Sequence, residues 1–159
     1  MFRDVMGLPA HALLVHAAVV FVPLLALVAT GYVVLPRFRS RLDWAAAVLA
    51  VAAPLAAFFA LRSGEELRDV LIANNYPPEI LQMVTEHEGY GELTLWWSSA
   101  LGALTVLLLV VTSPRVRRAV PGWLGLLLGA GVVVLAGISV WYVYLTGDTG
   151  AKAVWQGVL

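Results

Sequence analysis

The chain reads as an all-α integral membrane protein: a four-helix transmembrane bundle with a short helical cap on its extracytoplasmic side. Apolar residues fill 61% of its 159 positions and charged residues only 13%, against about half and a quarter in soluble domains. They gather in four runs, each near the ~20 residues that cross a bilayer. Prolines stand at or beside the ends of these runs, where a helix starts or stops.

The first span is expected from about residue 8 to 35, with Pro9 in its first turn and Pro36 ending it. Arg3 is offset by Asp4, and the apolar stretch outruns the 7–15 residues of a signal core. It therefore reads as a retained span. The second span runs from about 44 to 61, with a kink expected at Pro54, and the third from about 92 to 112, followed by Pro114. The fourth runs from about 121 to 145, with Pro121 at its start.

Charge sets the orientation. Arg37, Arg39 and Arg41 follow the first span, and Arg115, Arg117 and Arg118 follow the third. The segment between spans two and three is acidic, with Glu65, Glu66, Asp69, Glu79, Glu86, Glu88 and Glu92 against Arg62 and Arg68. The positive-inside rule puts both arginine loops in the cytoplasm and both termini outside. The expected location is the bacterial inner (plasma) membrane, crossed several times; Arg3 alone argues for the reverse orientation. Trp44 and Trp123 are expected at the inner interface, and Trp96, Trp97, Trp141, Tyr142 and Tyr144 at the outer one.

The acidic segment carries helical signals of its own. Leu67, Val70 and Leu71 predict a short amphipathic helix over 65–74, Asn74 to Pro78 a turn, and Ile80, Met83, Val84 and His87 one face of a second helix. Together these predict the cap, over about 64–90, with a bend allowed at Gly89 and Gly91. Gly125 and Gly129, and likewise Ala17, Ala18, Ser98 and Gly102, are spaced for close helix packing in lipid.

Composition excludes several functions. Net charge is zero, so no basic face suggests nucleic acid, and the absence of cysteine removes disulfides, thiolate metal sites and c-type haem attachment. No phosphate-cradling glycine loop and no serine–histidine–acid arrangement stands out.

The informative residues are the three histidines, His11, His16 and His87, all expected at the outer edge. Ionisable groups there are costly and usually face a bundle interior or a wet cavity. His11 and His16 point about 140° apart on a straight helix and stand about 7.5 Å apart along it, so one ion could not easily use both. His16 shares a face with Val20, Pro23, Leu27 and Thr30, while His87 continues through Gly91, Ser98, Gly102 and Thr105. A His16–His87 pair from facing helices is the expected ligand set, the arrangement that holds a b-type haem in a bundle. Tyr90, Trp96 and Trp97 are the candidates to cover a porphyrin edge. Alternatively, His11, His16, His87 and Asp148 bind a copper, zinc or iron ion, or the histidines are only hydrogen-bonded and no cofactor is present. Asp148 could also cap a short helix over 149–155.

The motif order resembles a known set. Gly7-Leu8-Pro9-Ala10-His11 with His16, then Ser63-Gly64-Glu65-Glu66-Leu67, His87 and Gly147-Asp148-Thr149-Gly150-Ala151 resemble the bacterial membrane-protein family called domain of unknown function 2231. The family typically has four spans, a proline after the first histidine and a histidine in the last signature; here Ala12 and Asp148 occupy those places. The resemblance implies a redox link, since some relatives are fused to Rieske or cytochrome modules. A four-histidine site cannot be complete in this chain; a bis-histidine site, or three histidines with one carboxylate, can. The expected function is therefore electron transfer through an outer haem or metal site, with the bilayer, a redox partner and a further copy of the chain as partners. The alternative is an accessory subunit of a larger membrane complex without a cofactor.

Overall fold

A computed structural model describes residues 4–5 and 8–155, with side chains from residue 10 onward. Arg3 and Gly7, used above for orientation and resemblance, lie outside the described residues. Asp4–Val5 and Leu8–Pro9 pair as a minimal antiparallel ladder. Four helices follow: α1 (Ala10–Val34), α2 (Arg39–Ala73), α3 (Pro78–Thr112) and α4 (Gly122–Trp155). All four are long and apolar enough to cross a membrane, and the chain is a multi-pass membrane protein. Large apolar side chains stand on the bundle's outside, with Leu27 70% and Leu126 78% exposed. Lipid, not water, is the solvent such a surface fits.

Helix α1 packs on α2 and α4, and α3 packs on the same two, while α1 and α3 barely meet. They are diagonal partners in an up-down-up-down bundle. Each helix buries one stripe at alternating spacings of three and four residues. On α1 it is Ala18, Val22, Leu25, Ala29 and Tyr32; on α2, Ala46, Ala50, Ala53, Ala57 and Ala60; on α3, Thr94, Ser98, Leu101, Thr105 and Leu108; on α4, Val132, Ala136, Ser139 and Val143. A mean repeat of 3.5 is that of a left-handed coiled seam.

The cap differs from the expectation. No break separates the second span from the 65–74 helix, and no break occurs at Gly89 or Gly91. Helices α2 and α3 are each 35 residues, about 52 Å long against a hydrocarbon core of about 30 Å. Their charged ends extend beyond the apolar stretch as one helical hairpin. The glycines do not interrupt α3 because nothing competes with the continuing helical hydrogen bonds. The hairpin turns at Asn75, the residue with φ 54°. Asn75 N–H donates to the Ile72 carbonyl and Tyr76 N–H to the Leu71 carbonyl, at 3.0 and 3.2 Å. This is the Schellman way to end a helix, and asparagine tolerates the left-handed position. Arg68 of α2 pairs with Glu88 of α3 to brace the hairpin.

The tightest helix contact comes from Pro54. Proline has no N–H, so the Ala50 carbonyl loses its partner one turn back. That oxygen lies where a Cβ on Gly102 of α3 would be, so it faces the glycine's Cα hydrogens. An alanine there meets main chain that cannot yield. Gly102→Ala is expected to lower stability by about 1–3 kcal/mol, whereas Gly137→Ala, with open space at its Cβ, should leave it level or raise it. Thermal unfolding midpoints of the two variants in one detergent check this.

Candidate functional site

Extending the buried stripes toward the acidic end reaches His11 on α1, Gly64 on α2, His87 on α3 and Thr146 and Gly150 on α4. His11 and His87 therefore take core positions in the outermost layer. Their ring centres are 6.1 Å apart, with the planes 78° to one another. The pair spans the α1–α3 diagonal.

Each imidazole is held by the neighbouring helix in the same way. His11 Nδ1–H donates to the Ala60 carbonyl at 3.0 Å, with Ser63 Oγ at 3.2 Å. His87 Nδ1–H donates to the Thr146 carbonyl at 2.9 Å, with Thr149 Oγ1 at 3.3 Å. A carbonyl oxygen only accepts, so in both rings Nδ1 carries the proton and Nε2 keeps its lone pair. The hydroxyls are anchored too: Ser63 donates to the Ala60 carbonyl at 2.8 Å and Thr149 to that of Leu145 at 2.8 Å. Glycine completes each cradle. A Cβ on Gly64 would stand 3.1 Å from His11 Cε1, and one on Gly150 2.9 Å from His87 Cε1.

The holders form a short repeat. Ala60-Leu61-Arg62-Ser63-Gly64 and Thr146-Gly147-Asp148-Thr149-Gly150 share a small residue, then Ser or Thr three positions on, then Gly. Helices α1–α2 and α3–α4 are thus two similar halves, each a histidine helix with its cradle helix. Sequence reasoning missed this repeat, although the heptad phase of the two glycines carries the signal.

The other expected site residues lie elsewhere. His16 is not paired with His87: it is exposed, and its Nδ1–H donates to the Ala12 carbonyl of its own helix at 2.7 Å. Its expected stripe, through Val20 and Leu27, faces outward, because five residues from His11 is the wrong phase for the bundle interior. Asp148 does not cap a separate helix, since α4 runs unbroken through it. Its carboxylate pairs with Lys152 one turn on, at 2.6 Å. Tyr90 is half-buried near His87 in sequence. Trp97 stacks on Tyr142 of α4, with centres 6.3 Å and planes 13° apart, while Trp96 is 72% exposed. Trp96, Trp141 and Tyr144 are exposed toward the acidic end, whereas Trp97 and Tyr142 stack on one another between α3 and α4. Among the described residues, no three histidines and carboxylates converge.

If the glycines exist to admit the rings, Gly64→Ala and Gly150→Ala should each displace an imidazole from its carbonyl and cost about 1–3 kcal/mol. Gly147→Ala, next to the same cradle but facing open space, should cost nothing. Unfolding midpoints together with histidine ring nitrogen NMR shifts report both effects. No protein-family model, curated protein or solved structure matches this chain.

Proposed function

We propose that this chain is a small electron-transfer protein of the membrane in which His11 and His87 bind one metal centre, a b-type haem or a single ion, at the acidic end of the bundle. The observation that carries the reading is the diagonal histidine pair. An imidazole nitrogen bonds a transition metal at about 2.0–2.1 Å, so two rings holding one ion would have centres roughly 5–6.3 Å apart. The 6.1 Å separation of the His11 and His87 rings would let both hold one ion. The flanking stripes offer small residues at this level, Ala60, Ser63 and Gly64 on one side and Thr146 and Gly150 on the other. Arg68, one turn beyond Gly64, has a buried Nε without a partner, while its Nη1 pairs with Glu88.

A bound haem would supply a one-electron couple at its iron. The chain's own part is orientation. The Ala60 and Thr146 carbonyls fix both tautomers and make Nε2 a stronger donor to metal. The arginine loops support a cytoplasmic assignment for the opposite end, which puts the site and both termini outside the bacterial inner membrane. The resemblance in motif order supports a redox partner on that side.

One observation favours a second reading. Both rings already hold two partners each through Nδ1, enough to make them ties between helices in an accessory subunit of a larger complex. Absorption spectroscopy with metal analysis on freshly purified protein separates the two. The first reading expects a Soret band or about one metal equivalent, lost in His11→Ala and in His87→Ala and kept in His16→Ala. A clean spectrum, no metal, and alanine variants that change stability alone would establish the second.

A further inference from the structure

The opposite end of the bundle holds a basic cleft that the histidine site does not use. Arg37, Arg39, Arg41, Arg115, Arg117 and Arg118 gather there against one carboxylate, Asp43. A cavity of about 670 Å³ opens among them, lined by Tyr32, Arg39, Trp44, Thr112 and Arg117. A second cavity of about 210 Å³ shares Arg39, Thr112 and Arg117 and continues along Gly122, Gly125 and Gly129.

The cleft is built rather than incidental. Tyr32 of α1 and Thr112 of α3 join hydroxyls at 2.7 Å across the diagonal. Arg39 is fixed against this floor: its Nε donates to the Tyr32 carbonyl at 3.0 Å, and its guanidinium sits 5.1 Å above the Tyr32 ring. Among the described residues, neither Arg39 nor Arg117 makes an ion pair. Asp43 lines the cavity, with one oxygen accepting the Trp44 N–H at 2.7 Å. Two guanidiniums thus face the space with a single carboxylate beside them. Guanidinium forks match the oxygens of a phosphate group.

We infer that Arg39 and Arg117 bind a phosphate group, and that its source is the headgroup of an anionic phospholipid. The smaller cavity carries the choice of source. It leads from the arginines along a face with nothing within 4 Å of a Cβ on Gly122 and only a methyl at 3.9 Å from one on Gly125. Leu126 beside it is 78% exposed on the lipid-facing surface. A free phosphate has no use for this apolar lining, which runs from the arginines to Gly129, where Val33 closes it; the first carbons of an acyl chain do. Trp44 and Trp123, 69% and 64% exposed at this end, suit headgroup depth, and basic clefts between spanning helices are known to hold acidic headgroups.

The test uses the full chain, delipidated in an uncharged detergent and titrated with phosphatidylglycerol, phosphatidylcholine or potassium phosphate, with binding read by calorimetry. Phosphatidylglycerol should bind in preference to phosphatidylcholine. Arg117→Gln, which removes no recorded side-chain bond, should weaken it at least about fivefold, the loss of a charge-assisted hydrogen bond. The double variant Arg115→Gln/Arg118→Gln removes more charge from the same loop but spares the lining, and should stay within about twofold. Gly125→Leu, which fills the channel, should abolish phospholipid binding. If potassium phosphate binds as tightly and Gly125→Leu changes nothing, the source is the free ion and the lipid assignment falls. Equal binding of both lipids, or a larger loss in the double variant than in Arg117→Gln, overturns the site itself.

Discussion

Helices in lipid gain nothing by hiding apolar surface from one another, so contact depends on how closely their backbones can approach. That constraint decides this structure. The buried stripe of α2 is alanine at Ala46, Ala50, Ala53, Ala57 and Ala60, and α3 answers it with Gly102 against the carbonyl that Pro54 frees. A proline that would weaken a soluble helix here supplies an acceptor to a neighbour. The 3.5-residue phase of these small residues also determines which polar side chains enter the bundle. His11 and His87 are in that phase and point inward; His16 is out of it and turns outward.

The cradles follow from the same rule. In these cradles the imidazole lies against the neighbouring helix where that helix has no Cβ, and its Nδ1–H reaches a helical carbonyl open to a second donor. Gly64 and Gly150 meet the first condition. Ala60 and Thr146 meet the second, each one turn back from its glycine. Two halves built alike bring two equivalent histidines to the bundle axis. A ligand between them would meet like imidazole donors from two helices.

Much of this was legible in the residues. Run length and proline placement marked four spans, and the face of Ile80, Val84 and His87 was already in phase with Ser98 and Thr105. The cap was read as separate helices because glycine and charge interrupt the apolar pattern at Gly64 and Gly89. Both interruptions matter to lipid and neither matters to the helical backbone, so α2 and α3 continue past them. The His16 expectation failed for a different reason. His16 lies deeper along α1, but the three-four alternation from Tyr32 back to Ala18 leads to His11. Asp148 looked like a cap because glycines flank it, yet a helix already in progress needs no cap, and Lys152 one turn on gives the carboxylate its partner.

Helices α1 and α3 barely touch along their length, yet polar pairs bridge them at each end. The histidines stand across the diagonal at the acidic end, and Tyr32 with Thr112 closes it at the basic end. Between them the axis holds Leu25, Leu101 and Leu108 together with Thr105 and Ser139, whose buried hydroxyls lack partners. Separating α1 from α3 at one end would not require breaking the α1–α2 or α3–α4 interfaces, which lie within the halves. It would require the halves to move along the α2–α3 and α1–α4 contacts, and the first of these is pinned by Gly102 on Ala50. Little direct α1–α3 contact therefore stands to be displaced at either end of this diagonal. Both candidate sites, the imidazole pair and the arginine cleft, occupy its two ends.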